Sequence, residues 1–318
     1  MGKKFKVLLY ESMHEAGTAL LEGKCHVIYA RSYAENDLIG QVADVDAVII
    51  RANGAVTEKI IAAASKLKVI GRHGVGLDAI DLAAAKRRGV KVVYTPQANK
   101  ESVAEHFVAL ALMLAKKIRL ADIALRQCHW QARYELIGTE LRGKTLGVLG
   151  FGRIGQQTAR ICHCGFGMPV VYYDPLEYPE AQKELDARQV DAKTLFKEAD
   201  FISINMPLLP QTKHFVNAKM LKLMKPTAFL LNMARGPVWK EADVVKALQE
   251  KRIAGAGSDV YEVEPITAAN PLLKLDNFVG TPHMSAHTEE AMMRMSMVAR
   301  DVLCVLEGKD PEYAFGSE

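Results

Sequence analysis

This chain has no apolar stretch long enough to form a membrane helix. Its longest uninterrupted apolar run, residues 107–115, is nine residues, against the roughly 20 that a helical span requires. At the amino terminus, Lys3, Lys4 and Lys6 precede only a short apolar stretch before Glu11, too little for a signal peptide. Lys6 also stands where a myristoylation signal after Gly2 wants Ser or Thr, so a cytoplasmic location is expected. Cysteine is scarce and odd in number: Cys25, Cys128, Cys162, Cys164 and Cys304 do not suit a secreted disulfide framework. Cys162, His163 and Cys164 suggest a metal cluster, yet positions two apart on a helix point to different faces. No second ligand pair lies at zinc spacing, so buried helix cysteines and no metal are expected. Charge of one sign is also lacking, since 41 basic against 37 acidic residues leave a net +4. The one basic cluster, Lys86, Arg87 and Arg88, reads as a solvated helix end, and no nucleic-acid module accompanies it.

What is present is an average globular composition, 49% hydrophobic and 25% charged over 318 residues, enough for two domains. Short β-rich apolar runs alternate with helical patterns, which means parallel sheet. The first series falls at 6–10, 27–30, 47–50, 68–70 and 91–93, and the second at 145–149, 170–173, 201–204, 228–231, 253–256 and 278–280. Between them, 101–127 has apolar residues at helical spacing with neither proline nor glycine, so one long linking helix is expected. The tail from Thr288 to Glu307 is again helical, and its place after the second series lets it return to the first unit.

GFGRIG, with Gly150, Gly152 and Gly155, follows a predicted strand and opens a helix, the setting of a dinucleotide fingerprint. The first glycine permits the tight turn, the second lets backbone approach a pyrophosphate, and the third lets helix and strand pack. Asp174 lies nineteen residues past Gly155 at the end of the next strand, where a carboxylate receives ribose hydroxyls and repels a 2′-phosphate. NAD is therefore favoured over NADP. GVGLDA, with Gly74, Gly76 and Ala79, fits the same spacing but has no carboxylate after the next strand. It reads as a decoy whose amides form a small anion nest.

GRHGVGLDAID (71–81), SVAEH (102–106), GKTLGVLGFGRIG (143–155), NMARGPV (232–238), GSDVYEVEP (257–265) and TPHMSAHT (281–288) stand in one order along the chain. Together they resemble the D-isomer-specific 2-hydroxyacid dehydrogenases, over essentially the whole length. The resemblance implies two Rossmann-like doubly wound domains: a flavodoxin-like substrate domain from 1–99 plus 286–318, and an inserted NAD-binding Rossmann domain at 100–285. It also implies a homodimer formed through the cofactor domain. From the residues alone, Glu262 competes with Glu264 and His287 with His283; the resemblance selects Arg235, Glu264 and His283 as the catalytic trio.

In that reading a 2-keto acid is reduced by hydride transfer, and His283 supplies the proton to the developing alkoxide. Glu264 holds the ring and favours its protonated form. Arg235 binds the substrate carboxylate with a planar fork and polarises the ketone oxygen. The amides of Val75 and Gly76 grip the same carboxylate. Asp259 is expected near the nicotinamide amide, Arg153 and Ile154 along the pyrophosphate, and Asn99 and Arg51 near the substrate.

The chain departs from the family pattern at Trp239 and Lys240, before Glu241, and at Asn205, where histidine is common near the adenine ribose. It is similar to the 3-phosphoglycerate dehydrogenase and hydroxypyruvate reductase branch. It ends at Glu318, which leaves no room for a serine-sensing domain, and its segment 130–138 lacks the double lysine that meets a phosphate, offering Arg133 alone. A short unphosphorylated substrate such as hydroxypyruvate or glyoxylate is thus expected ahead of 3-phosphoglycerate. A sulfonated or other acidic 2-hydroxy acid paired with Arg51 is a further option. The rivals are a non-catalytic NADH-sensing corepressor-like protein and a phosphite dehydrogenase on the same scaffold. A formate dehydrogenase, which pairs its histidine with glutamine, is disfavoured by Glu264.

Overall fold

The computed structural model describes residues 4–316; Gly2 and Lys3, read above for targeting signals, lie outside the described residues. Two compact units emerge. One joins the chain up to Asn99 to the chain from His287 onward, and the other is Lys100–Ala286. The second boundary falls one residue later than expected.

The first unit holds strands β1 (Phe5–Leu9), β2 (Cys25–Tyr29), β3 (Ala47–Ile50), β4 (Val69–Arg72) and β5 (Lys91–Tyr94). They form one parallel sheet in the order β2-β1-β3-β4-β5, the flavodoxin-like arrangement. Side chains alternate between faces. Leu8, Val48, Ile50 and Ile70 pack with Ile60 and Ile61 on one side; Val7, Leu9, Ile49 and Val69 pack with Val298, Val302 and Leu306 on the other. Both faces are covered, which is why these strands read as continuous apolar runs rather than alternating ones. The tail helices Glu289–Ser296 and Val298–Leu306 thus do return to the first unit. Gly71 admits them, since a Cβ there would lie 2.7 Å from the Val302 side chain.

The second unit contains β6 (Leu146–Leu149), β7 (Val170–Tyr173), β8 (Arg188–Gln189), β9 (Phe201–Ile204), β10 (Phe229–Asn232), β11 (Gly255–Ser258) and β12 (Phe278–Gly280). Their order, β12-β11-β10-β9-β6-β7-β8, is the Rossmann order with one added strand, reversing direction between β6 and β9. Ligands of such sheets bind at the carboxyl ends beside that reversal. β8 was not expected from the sequence: it is a two-residue polar edge strand with no apolar pattern.

Two expectations need correction. The single linking helix is two, Lys100–Ala115 and Ile118–Arg126. The carbonyl of Ala115, which a continuing helix would offer to residue 119, instead accepts from the Thr139 amide at 2.8 Å. Lys117 then turns the chain with a left-handed φ of 53°. The helix cysteines also part company. Cys162 is fully buried and its thiol is pushed up to about 12 by that burial, whereas Cys164 is exposed. No helix among the described residues is long and apolar enough to cross a membrane.

Candidate active site

Every catalytic candidate of the second unit sits on a loop at the carboxyl end of its sheet, beginning with the glycine turn after β6. Gly150 has φ +89°, and a Cβ there would lie 2.7 Å from the Met206 amide nitrogen at the end of β9. Only glycine fits that turn. Around Gly152, which caps the helix Arg153–Phe166 without a side-chain hydrogen bond, nothing lies within 4 Å of the Cβ position. The helix N-terminus is therefore approachable there by an anionic group. Arg153 and Ile154 form its first turn.

Asp174 follows β7 and is half-buried. Its carboxylate accepts from the Phe151 amide at 2.7 Å and the Leu176 amide at 2.9 Å, which ties it to the glycine loop. A carboxylate has about four acceptor positions, so capacity remains for two ribose hydroxyls. Glycine turn, open helix end and carboxylate fit a dinucleotide. Asn205 directs Nδ2 to Ser203 Oγ at 2.8 Å while its buried Oδ1 has no partner. Trp239 is fully buried in the core, so that departure from the family pattern is a packing residue.

The turn after β10 is built by buried Asn232, whose Oδ1 accepts from the Ala234 amide and whose Nδ2 donates to the Arg235 carbonyl, both at 3.0 Å. That closure is the physical content of N-x-x-R. Gly236 follows because a Cβ there would overlap the Tyr261 backbone at 1.9 Å, so the Arg235 turn rests directly on the peptide leading to Glu264. The Tyr261 amide donates to Glu264 Oε1 at 2.9 Å, and Glu264 Oε2 meets His283 Nδ1 at 2.8 Å.

Burial pushes the Glu264 carboxyl up. The His283 and Tyr261 hydrogen bonds and the charges of His283 and Arg235 outweigh it, holding the group below the usual carboxylate range. The pair is accessible, with side chains 36% and 50% exposed for Glu264 and His283. With Nδ1 committed to Glu264, Nε2 is the ring nitrogen left to exchange a proton with a ligand.

The competitors are now separated. Glu262 pairs with His214 at 2.9 Å and accepts from the Glu241 amide. His287 belongs to the first unit, where its Nε2 lies 3.2 Å from the Arg51 guanidinium. Asp259, expected by the nicotinamide, is fully buried under the turn that carries His283. Its carboxylate accepts from Thr281 Oγ1 at 2.6 Å and from the Met284 and Ser285 amides at 2.8 Å. It serves there as a strut.

In the first unit, Gly74 is fastened to Thr95, whose Oγ1 receives the Gly74 amide at 3.2 Å. This loop follows β4, away from the reversal between β1 and β3, as suits a decoy. The amides of Val75 and Gly76 donate no hydrogen bond among the described residues, and Asn99 Oδ1 is buried without a partner. Arg51, just past β3, contacts Ser12 O, His287 and Met292 Sδ but no carboxylate within 4 Å among the described residues. Sequence reasoning missed His73. Its ring is buried with both nitrogens unpartnered, and burial, with Arg51 and Arg72 adding, pushes it down to about 4. Only its place beside the decoy glycines hinted at it. Among the described residues no group of three His, Cys, Asp or Glu converges to hold a metal.

Residues 108–285 match the family profile described as D-isomer specific 2-hydroxyacid dehydrogenase, NAD binding domain. The hydroxypyruvate reductase of Thermotoga maritima is 39% identical over 92% of this chain and 95% of its own length. The D-3-phosphoglycerate dehydrogenase of Methanocaldococcus jannaschii is 40% identical over 96% of this chain. The chain spans just over half the length of that relative and of two further phosphoglycerate dehydrogenases, 54–58%. Among solved structures, the TT0316 protein of Thermus thermophilus superposes with a TM-score of 0.91 at 33% identity, covering 98% of this chain and 100% of that one.

Proposed function

The chain belongs to the D-isomer-specific 2-hydroxyacid dehydrogenase family, and from that premise we propose that it interconverts a small D-2-hydroxy acid and its 2-keto acid with NAD. The observation that carries the reading is the accessible Glu264–His283 pair at 2.8 Å, with Arg235 close enough to lower the Glu264 carboxyl electrostatically.

The Gly150–Gly155 turn, Arg153, Ile154 and Asp174 would hold the dinucleotide, which supplies or takes the hydride when bound. Arg235 would receive the substrate carboxylate and draw negative charge onto the ketone oxygen. His283 Nε2 delivers the proton in reduction and withdraws it in oxidation, while Glu264 keeps the ring aligned and sets a negative charge beside it. Within the first unit, the uncommitted Val75 and Gly76 amides, the orphan oxygen of Asn99 and an Arg51 guanidinium with no carboxylate within 4 Å, all among the described residues, support their assignment to substrate.

Hydroxypyruvate or glyoxylate is placed ahead of 3-phosphoglycerate because Arg133, the single cation of its segment, is engaged by its neighbours. Its guanidinium lies 5.4 Å from the Trp130 ring centre and 4.7 Å from that of Tyr134, and it donates to the Tyr134 hydroxyl at 2.7 Å. The proposal includes a homodimer and a cytoplasmic location.

The test is NADH oxidation across glyoxylate, hydroxypyruvate and phosphohydroxypyruvate, repeated with NADPH. Turnover of an unphosphorylated acid, faster with NADH, is expected. Cofactor binding without turnover over the whole panel would overturn the enzymatic reading; preference for the phosphorylated acid would overturn the substrate assignment.

A further inference from the structure

The SVAEH segment carries part of the family resemblance but none of the chemistry above. In the structure, Ser102 and His106 lie one turn apart on the helix Lys100–Ala115, and residues four apart share a helix face. Ser102 Oγ donates to the Ser285 carbonyl at 2.6 Å in a fully buried contact. His106 Nε2 lies 2.8 Å from Thr281 Oγ1. The helix thus holds the segment 281–285 at both ends, and His283 is its midpoint.

The hydrogen-bond directions follow from the donors available. Thr281 has one hydroxyl proton, and the buried Asp259 carboxylate 2.6 Å away can only accept it. The Thr281 oxygen is left to accept, so His106 Nε2 must carry the proton. Asp259 then receives the Met284 and Ser285 amides, completing a chain from His106 through Thr281 to both residues after His283. The His283 amide itself donates to the Thr281 carbonyl at 3.1 Å, and its φ is +53°. A left-handed non-glycine residue is strained and persists only where its surroundings over-determine it. These six contacts do so.

We propose that Ser102 and His106 are positioning residues, whose clamp on both ends of the 281–285 turn sets the His283 ring against Glu264. This rests on the catalytic reading of His283 given above. Neither residue touches a reacting atom; both act through the turn.

The test compares Ser102→Ala, His106→Leu and His106→Gln in the full chain, the glutamine restoring a donor near the Nε2 position. The first readout needs no substrate: ring-nitrogen NMR shifts of 15N-histidine-labelled protein, with His283 assigned by its absence from His283→Gln. In alkaline buffer, where the ring is neutral, the parent protein should hold one tautomer, protonated on Nδ1 toward Glu264. In Ser102→Ala and His106→Leu the two nitrogens should move toward a common value, and His106→Gln should return them. Unchanged His283 shifts in folded Ser102→Ala and His106→Leu would overturn the clamp whether or not the protein turns over any acid. The second readout is kinetic. A displacement of about 1 Å costs on the order of 10²-fold in rate, so kcat should fall by up to that factor in His106→Leu while NADH affinity, read by fluorescence, stays within about twofold. A parallel loss of NADH affinity and thermal stability, unrelieved by glutamine, would mark a merely structural role and also overturn the proposal. Absence of turnover in the parent protein, with the ring shifts behaving as expected, would sink the proposed function and leave the clamp standing.

Discussion

Two glutamates and two histidines lie close enough along the chain to exchange roles, and pairing distance alone sorts them. Glu264 takes His283 and Glu262 takes His214, a partner 48 residues earlier that no local pattern announces. The Glu264 carboxyl is held below its ordinary range, so it stays ionised through the working pH range and sets a negative charge beside the imidazole. Glu264→Gln keeps the hydrogen-bond geometry and removes that charge. The alkaline limb of keto-acid reduction should then move to lower pH, and an unmoved limb in a steady-state pH profile would remove Glu264 from the mechanism. His73 gives a stability counterpart. Its ring titrates at about 4 when folded and 6.5 ordinarily, so the unfolded chain binds the extra proton. The neutral ring's contribution is complete above 6.5 and is lost as pH falls toward 4. Each unit in that window costs about 1.4 kcal/mol. Between pH 7 and 5 the parent should lose about 2 kcal/mol more in urea unfolding than His73→Leu; equal losses would show that the ring is not buried neutral.

At the scale of elements, strands and glycine turns were legible because their causes are local: β-rich apolar runs covered on both faces, and a φ that only glycine adopts at Gly150. The break between Lys100–Ala115 and Ile118–Arg126 was not legible. Its cause is the Thr139 amide returning to the Ala115 carbonyl, a contact 24 residues away in the chain, with no proline or glycine to mark the spot. The first helix buries eight residues and the second none, a change of surroundings that an apolar period does not encode. Lys117 pays for the turn with its left-handed φ of 53°. Lys117→Gly should therefore stabilise the fold by about 1 kcal/mol in chemical denaturation, whereas destabilisation would mean that its side chain does more than its backbone shows.

For the whole molecule, the helix Ile118–Arg126 and the segment after it expose Ile123, Leu125, Trp130, Tyr134 and Ile137, the last at 74%. Aromatic residues such as Trp130 and Tyr134 are enriched where proteins meet. A second copy of the same face is the occupant proposed, because like surfaces close on one another by two-fold symmetry. Light scattering should give twice the 35.0 kDa chain mass, and Ile123→Lys with Leu125→Lys should shift it toward one. A monomeric parent protein would end that part of the proposal.

The order of motifs along the chain was enough to identify two doubly wound sheets, the glycine turn with its carboxylate, and the residue types that the proposed chemistry calls for. These depend on short-range sterics and on chemistry that few side chains provide. Which glutamate faces which histidine, that Asp259 props the His283 turn, and that Ser102 and His106 grip it were decided only when β10, β11 and β12 came side by side with the helix Lys100–Ala115. Such pairings join residues up to 183 positions apart, and packing rather than sequence proximity sets which donor reaches which acceptor.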